Sequence, residues 1–233
     1  MEITWLGHAA FKVEHDGFVI MIDPWINNPN KPKELSLEKI DAILITHAHF
    51  DHVGDAAELA KEYSAKVYSI FEVSKIIEKQ GVPGDLIVGM NKGGTVDLGG
   101  GFKATMVEAL HSSTIIDDDG NLIPGGEAAA FVIHTPDGHK IYHAGDTAVF
   151  GDMKIISDLY KPDIALLPIG GHYTMDPKEA AYAINNLLTS VRTVIPMHYG
   201  TFPVINGKPQ ELKQQLERDV EVITLTPGQK TRF

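Results

Sequence analysis

Residues 47–52 place three imidazoles and one carboxylate within six positions of the chain, as His47, His49, Asp51 and His52. They follow the apolar run 42–45, which has the composition of a buried strand. Imidazole nitrogens and carboxylate oxygens are ligands that Zn²⁺ and related divalent metals accept in proteins. His-rich turns occur by chance, but four potential ligands directly after a buried strand favour a metal site.

Three further ligand candidates, each of which follows a strand-like run, lie downstream at His111, Asp146 and His198. Strand ends from two halves of a sandwich can converge on one edge, so we expect these side chains to join the six-residue cluster. Seven ligands exceed what one tetrahedral ion binds. They suit two ions that share a bridging carboxylate and hold a hydroxide between them. The spacing predicts that His47 and His49 share one ion, whereas Asp51 and His52 face a second.

Hydrophobic patterning predicts that these ligands are positioned by two similar halves of strands and helices. Asp16-Gly17 and Asp137-Gly138 predict tight hairpins, and the strand after each turn leads to an aspartate, Asp23 or Asp146. Strands are predicted at residues 3–6, 11–15, 18–22, 42–46, 66–70, 129–134, 140–143, 163–167 and 193–195. Helices are predicted at 53–63, 72–80 and 177–188, and the longest loop at 111–127. Two packed sheets flanked by helices follow from this order.

The composition excludes several classes of protein and site. The 233 residues are 43% apolar, which allows a sizeable core, and we expect one domain over residues 1–233 because no linker is visible. The net charge of −11 argues against binding of a nucleic-acid backbone. Without cysteine, a metal must be held by His, Asp or Glu. The sequence has no signal-peptide pattern and no long apolar run, so we expect a cytoplasmic protein that does not enter a membrane.

The motif H-x-H-x-D-H, followed in order by the three downstream ligand candidates, resembles the metallo-β-lactamase superfamily over nearly the whole chain. Three further stretches narrow the resemblance to one branch: Trp5-Leu6-Gly7-His8-Ala9, Ile22-Asp23-Pro24-Trp25 and His143-Ala144-Gly145-Asp146-Thr147. They are similar to uncharacterised metal-dependent hydrolases related to ascorbate-6-phosphate lactonase and to N-acylphosphatidylethanolamine phospholipase D.

The resemblance implies an α/β fold, namely a four-layer αββα sandwich with a metal site at one edge. It implies that the first ion is held by His47, His49 and His111. It assigns the second ion to Asp51, His52 and His198, with Asp146 as the bridge. His49 stands where flavo-diiron relatives carry Glu, so hydrolysis is favoured over redox chemistry. We expect two divalent ions, with Zn²⁺ first and Mn²⁺, Fe²⁺ or Ni²⁺ left open.

The predicted function is hydrolysis of a small-molecule ester, lactone or phosphodiester by a hydroxide held between the two ions. A nuclease is the alternative enzyme, although the acidic chain disfavours it and no nucleic-acid partner is expected. A metal-stabilised sensing or binding protein without turnover is the alternative from another class. The branch that the chain resembles also suggests a homo-oligomer, although the sequence shows no interface stripe.

Three residues are predicted to act in catalysis: Asp51, His172 and His8. His8 lies between two short strands near the expected metal edge, where it would orient substrate or serve as a buried structural residue. His172 lies in a glycine-flanked loop, where it would donate a proton or stabilise an oxyanion; the alternative is an exposed loop histidine. Asp23 is expected to accept a hydrogen bond from a ligand imidazole.

Overall fold

Two seven-stranded mixed sheets face each other in the computed structural model, which describes residues 1–117 and 119–233. The first sheet contains β1 (Glu2–Trp5), β2 (Phe11–His15), β3 (Phe18–Ile22), β4 (Ala42–Ile45), β5 (Lys66–Ile70), β6 (Ile87–Met90) and β16 (Lys230–Arg232), in the order β16-β1-β2-β3-β4-β5-β6. The second contains β7 (Thr95–Gly99), β8 (Phe102–Glu108), β11 (Ala129–His134), β12 (Lys140–His143), β13 (Ile164–Pro168), β14 (Thr193–Met197) and β15 (Glu221–Val222), in the order β15-β14-β13-β12-β11-β8-β7. A separate hairpin pairs β9 (Thr114–Ile116) with β10 (Leu122–Pro124).

Helices cover the outer faces of both sheets. They are α1 (Phe50–Val53), α2 (Ala56–Tyr63), α3 (Phe71–Lys79), α4 (Met153–Tyr160), α5 (Pro177–Tyr182) and α6 (Pro209–Gln214). A 3₁₀ turn spans Gly84–Leu86, and a π-helical segment, Ala183–Leu187, continues α5. Helices α2 and α3 pack on β4, β5 and β6 of the first sheet, whereas side chains of α4, α5 and α6 join the core outside the second.

The alternation of side chains along β11 shows how one strand serves two cores. Phe131 and Ile133 point into the core between the sheets, whereas Ala130 and Val132 point into the core beneath the outer helices. This is the period of two expected for a strand that is covered on both faces. Helix, sheet, sheet and helix therefore form four layers, and the predicted αββα sandwich is confirmed.

Parallel strands bring the candidate ligands to one edge of the sandwich. Strands β3, β4 and β5 run parallel in the first sheet, as do β12, β13 and β14 in the second. Every residue of β4, β13 and β14 is buried, as expected for parallel strands with both faces covered. Residues 47–52 follow β4, Asp146 follows β12 and His198 follows β14. Each candidate ligand therefore lies shortly after the end of a strand.

Several predicted boundaries differ from the structure. The helix predicted at 53–63 is α2 and begins only at Ala56, because Gly54 adopts a positive φ and ends α1 after Val53. The loop predicted at 111–127 contains the β9–β10 hairpin, whose register pairs Ile115 with Ile123 and Ile116 with Leu122. Asp118, also within that predicted loop, lies outside the described residues. Among residues 1–117 and 119–233, no helix has the length and apolar character that crossing a bilayer requires.

Candidate metal centre

A first cluster of potential metal ligands consists of His47, His49, His111 and Asp146, whose ligand atoms all lie within 4.8 Å of one another. His47 Nε2 lies 2.9 Å from His49 Nδ1. Asp146 Oδ2 lies 3.6 Å from His111 Nε2 and 4.0 Å from His47 Nε2. Three imidazoles and one carboxylate at these distances make a suitable donor set for one divalent ion.

A second cluster consists of His8, Asp51, His52 and His198, again with ligand atoms within 4.8 Å of one another. Asp51 Oδ2 lies 2.9 Å from His8 Nε2 and 3.8 Å from His198 Nε2. Asp146 also faces this cluster, because its Oδ1 lies 3.2 Å from His52 Nε2 and its Oδ2 lies 3.0 Å from His198 Nε2. Asp146 is thus the carboxylate that contacts histidines of both clusters.

A buried hydrogen-bond network around Asp23 orients one histidine of each cluster. The Thr46 hydroxyl donates to Asp23 Oδ2 at 2.7 Å and therefore accepts from His47 Nδ1–H at 3.0 Å. His52 Nδ1–H donates to the same Asp23 oxygen at 2.7 Å. Both rings consequently turn Nε2 toward the clusters, which is the nitrogen left for binding a metal. The predicted hydrogen bond from a ligand imidazole to Asp23 is present.

Unusual backbone conformations place several of these side chains. His8, Asp23 and His198 have φ values of 53°, 45° and 55°, in the left-handed region that non-glycine residues rarely adopt. Such residues persist where the surrounding structure fixes them, and they concentrate at functional sites. Gly170 has a different constraint, because a Cβ there would lie 2.2 Å from the backbone oxygen of His198.

His143 holds the turn that presents Asp146. Its ring is buried and accepts a hydrogen bond from Gly145 N–H at Nδ1. The proton therefore lies on Nε2, which donates to the backbone oxygen of Ala9 at 3.0 Å. This bond joins the second sheet to the loop that carries His8, so one side chain ties Asp146 and the second cluster together.

The histidines of the first cluster are electrostatically prepared to bind a cation. Burial lowers the pKa of His47 well below its ordinary value, and the charge of nearby His52 lowers it further. Burial likewise lowers the pKa values of His49 and His111. These three rings are neutral near pH 7, and the neutral imidazole is the form that binds metals.

The second cluster has the opposite character. Burial acts to lower the pKa of His52, but Asp146 and Asp23 together raise it well above its ordinary value. Burial also opposes protonation of His198, yet the negative charge of Asp146 and the nearby Asp51 carboxylate raise its pKa to about 9. Protons on these rings compensate the negative charge of the buried carboxylates. A divalent cation bound in their place would compensate the same charge.

Two observations show that the residues of the clusters fit divalent ions. The donor set contains only imidazole and carboxylate groups, and its members converge from four strand ends and the loop around His8. His52 Nε2 and Asp146 Oδ1 are buried, and neither makes a well-aligned hydrogen bond within the described part of the chain. Buried polar atoms without a partner are costly, and a metal ion shared between them removes that cost.

All seven residues predicted as ligands lie in the two clusters. The two other histidines predicted to act in catalysis, His8 and His172, differ in their surroundings. His8 is fully buried within the second cluster, where its Nδ1 lies 2.9 Å from Thr201 Oγ1. His172 lies in an exposed turn with φ 63°, and its ring contacts Tyr173 rather than any member of the two clusters. Its role in proton donation stays a prediction. Sequence reasoning missed Thr46 and Thr201. The only signal in the sequence was their position, since Thr46 precedes His47 and Thr201 lies three residues after His198.

Two facing sheets with outer helices and a His/Asp site at their shared edge define the metallo-β-lactamase fold. A family model described as "Beta-lactamase superfamily domain" matches residues 19–199. A UPF0173 metal-dependent hydrolase of Koribacter versatilis is 49% identical over 232 residues, covering 98% of this chain and 97% of the relative. One from Caldivirga maquilingensis is 49% identical over 231 residues, covering 97% and 95%.

The solved structure of Igni18, a metallo hydrolase from Ignicoccus hospitalis, superimposes with a TM-score of 0.84 at 39% identity. The match covers 100% of this chain and 98% of Igni18. The chain therefore belongs to the β-lactamase superfamily, as a member of the group of metal-dependent hydrolases named UPF0173.

Proposed function

We propose that the protein uses two divalent ions, Zn²⁺ foremost, to cleave an ester, lactone or phosphodiester bond of a small molecule. The observation that carries the proposal is the position of Asp146 between two clusters, within 3.2 Å of His52 and His198 and 3.6 Å of His111. One carboxylate in reach of both clusters is the arrangement expected for a bridged pair of ions. Ions bound there would supply a hydroxide near neutral pH and polarise the substrate oxygen.

The chain's own residues contribute orientation and charge to this reaction. Asp23 and Thr46 orient the His52 and His47 rings, and His143 fixes the turn before Asp146. The net charge of −11 makes a small molecule a better substrate than a nucleic acid, whose backbone requires clustered Lys and Arg. Burial of His47, His52 and Asp146 keeps bulk water away from the reacting groups and strengthens their electrostatic interactions.

The test is a turnover screen with zinc-loaded protein against matched panels of lactones, carboxylic esters and phosphodiesters. We expect the protein to cleave members of one panel catalytically, and we expect a chelator to abolish that cleavage. If the protein cleaves no member of the three panels although elemental analysis shows two ions per chain, the result would contradict the proposal and favour a sensing protein. Products identified by mass spectrometry separate acyl cleavage from phosphoryl cleavage.

His8 is proposed to position Asp51. The pKa of Asp51 is held well below its ordinary range by the nearby His198 ring and the hydrogen bond from His8, against the effect of burial, so the carboxylate only accepts. Burial lowers the pKa of His8 to about 4, so its neutral ring donates from Nε2 to Asp51 and accepts at Nδ1 from the Thr201 hydroxyl. The Thr201 hydroxyl therefore orients the His8 ring, and the His8 ring orients Oδ2 of Asp51.

Substitution of His8 by phenylalanine is expected to weaken metal binding at the second cluster by ~10–100-fold, the usual effect of losing an orienting partner. His8→Gln retains a donor amide and should recover part of that affinity. Thr201→Val should weaken binding less than His8→Phe, and Thr201→Ser should match the parent. Calorimetric titration with Zn²⁺ measures all four variants; equal losses in His8→Gln and His8→Phe would contradict a positioning role.

Metal binding at the second cluster is expected to release protons. His198, with a pKa of about 9, is protonated at neutral pH in the metal-free protein and must lose that proton to become a ligand. Affinity should therefore rise with pH and level off above about pH 9. The protonated ring contributes stability to the metal-free fold that is fully present below its ordinary value of 6.5 and is lost as the pH rises through about 9. Calorimetry in buffers of different ionisation enthalpy measures the release; an affinity independent of pH from 6.5 to 9 would contradict it.

A further inference from the structure

Three aromatic side chains form a continuous surface beside the second cluster, and we name Phe50, Trp25 and Phe202 the aromatic wall. The Trp25 and Phe50 rings meet edge to face with centroids 5.5 Å apart. The Trp25 and Phe202 rings stack with centroids 6.0 Å apart and planes inclined by 23°. These are favourable aromatic geometries, so the three rings act as one apolar surface.

The aromatic wall directly adjoins the proposed metal centre. Trp25 and Phe202 lie 5.3 Å and 5.8 Å from the His8 ring, measured between centroids. His8 in turn contacts Asp51. Phe50 lies between two predicted ligands along the chain, and Phe202 follows Thr201. Three separate chain segments thus bring an aromatic ring next to residues of the site.

The aromatic wall reaches solvent rather than ending in the core. Phe50 is 63% exposed, and Trp25 and Phe202 are half-buried. A backbone contact fixes the wall from behind, because a Cβ at Gly54 would lie 2.5 Å from the Trp25 Cα atom. A single exposed phenylalanine is ordinary, but contiguous aromatic rings at the rim of a polar site are typical of ligand-binding surfaces.

The charges around the site favour an uncharged partner for this surface. Among the described residues, no Lys or Arg forms a hydrogen bond or ion pair with a member of the two clusters, and none stacks on a ring of the aromatic wall. An anionic group at this position would lose hydration against the aromatic rings without gaining a cationic partner, and a cationic group would gain only the modest attraction of exposed rings. An apolar group would gain contact area with Phe50 and Phe202 as water leaves both surfaces.

We propose that the substrate carries an uncharged apolar or aromatic group that packs on the aromatic wall while its scissile bond faces the two clusters. This inference rests on the proposed hydrolytic function and names the substrate class that the site selects. The aromatic wall then determines specificity, because the apolar contact is made beside the reacting bond and persists in the transition state.

The kinetic test compares members of the cleaved panel that carry a methyl, butyl or phenyl substituent next to the scissile bond. We expect kcat/KM to rise along the series, and Phe50→Ala to reduce the phenyl-to-methyl ratio by about tenfold, the scale set by a lost apolar contact. Phe202→Ala should act in the same direction. The matched control is Phe71→Ala, because Phe71 is 55% exposed on α3 and its ring lies against Lys75 instead of the site.

A binding measurement gives a second readout that does not depend on turnover. Titration of the zinc-loaded protein with unreactive 3-phenylpropanol should change tryptophan fluorescence saturably, and Phe50→Ala should weaken that binding while Phe71→Ala should not. Turnover without a preference for apolar members, together with no saturable binding, would overturn the aromatic-wall inference and leave the hydrolytic function standing. Saturable binding without turnover of any panel would support the aromatic wall and overturn the hydrolytic function.

Discussion

Replacement of Asp146 by alanine is expected to lower kcat/KM by ~10³-fold, because bridging metal interactions are worth several kcal/mol to the transition state. Asp146 is 3% exposed and contacts histidines of both clusters, so its loss should affect both proposed ion sites at once. Elemental analysis of the variant should show fewer than two ions per chain. The matched control is Asp158→Ala, since Asp158 is an exposed aspartate on α4 that pairs with Lys154.

The same change is expected to destabilise the metal-free protein. Without Asp146, the protonated His52 and His198 rings lose the carboxylate that compensates them, at a cost of about 3 kcal/mol in the free energy of unfolding. Asp146→Asn retains the shape of the side chain and separates loss of charge from loss of packing. Full activity with two bound ions in either variant would contradict the bridging assignment.

Removal of metal is expected to abolish hydrolysis and to lower thermal stability. Each ion bound at a thousandfold excess over its Kd stabilises the folded state by about 4 kcal/mol. Chelation followed by dialysis should therefore lower Tm and remove turnover, and Zn²⁺ should restore both. The measurements are differential scanning calorimetry and the substrate assay on the same samples.

Two controls make the chelation result specific to the clusters. Mg²⁺ should restore little activity, because it prefers oxygen ligands and five of the seven predicted ligands are imidazoles. Asp158→Ala should respond to chelation as the parent does, whereas Asp146→Ala should show a much smaller change in Tm. Undiminished turnover by protein from which metal is absent by elemental analysis would contradict metal-dependent hydrolysis.

The αββα architecture was predictable because its signals are local. Runs such as 42–45 and 163–167 are too apolar for half-exposed strands, so they predict strands covered on both faces. Asp-Gly turns located the two hairpins correctly, at Asp16-Gly17 and Asp137-Gly138. The β9–β10 hairpin was missed because its strands are only three residues long, and pairing between short strands depends on contacts outside their own sequence.

The candidate ligands were predictable for a chemical reason. His47, His49, Asp51 and His52 lie so close along the chain that any strand-turn-helix would bring them together. His111, Asp146 and His198 required only that the strands before them end at one edge, which parallel pairing in the second sheet brings about for the last two.

The sequence by itself determined the types and order of the candidate ligands and the layered fold, because these follow from side-chain chemistry and from the periodicity of burial. Only the tertiary structure decided that His8 contacts Asp51, that Thr46 and Asp23 orient the His47 and His52 rings, and that Trp25 and Phe202 stack. Those contacts join residues up to 177 positions apart, as with Trp25 and Phe202. Their geometry depends on how the two sheets pack and on left-handed backbone at His8 and Asp23, which no local pattern encodes.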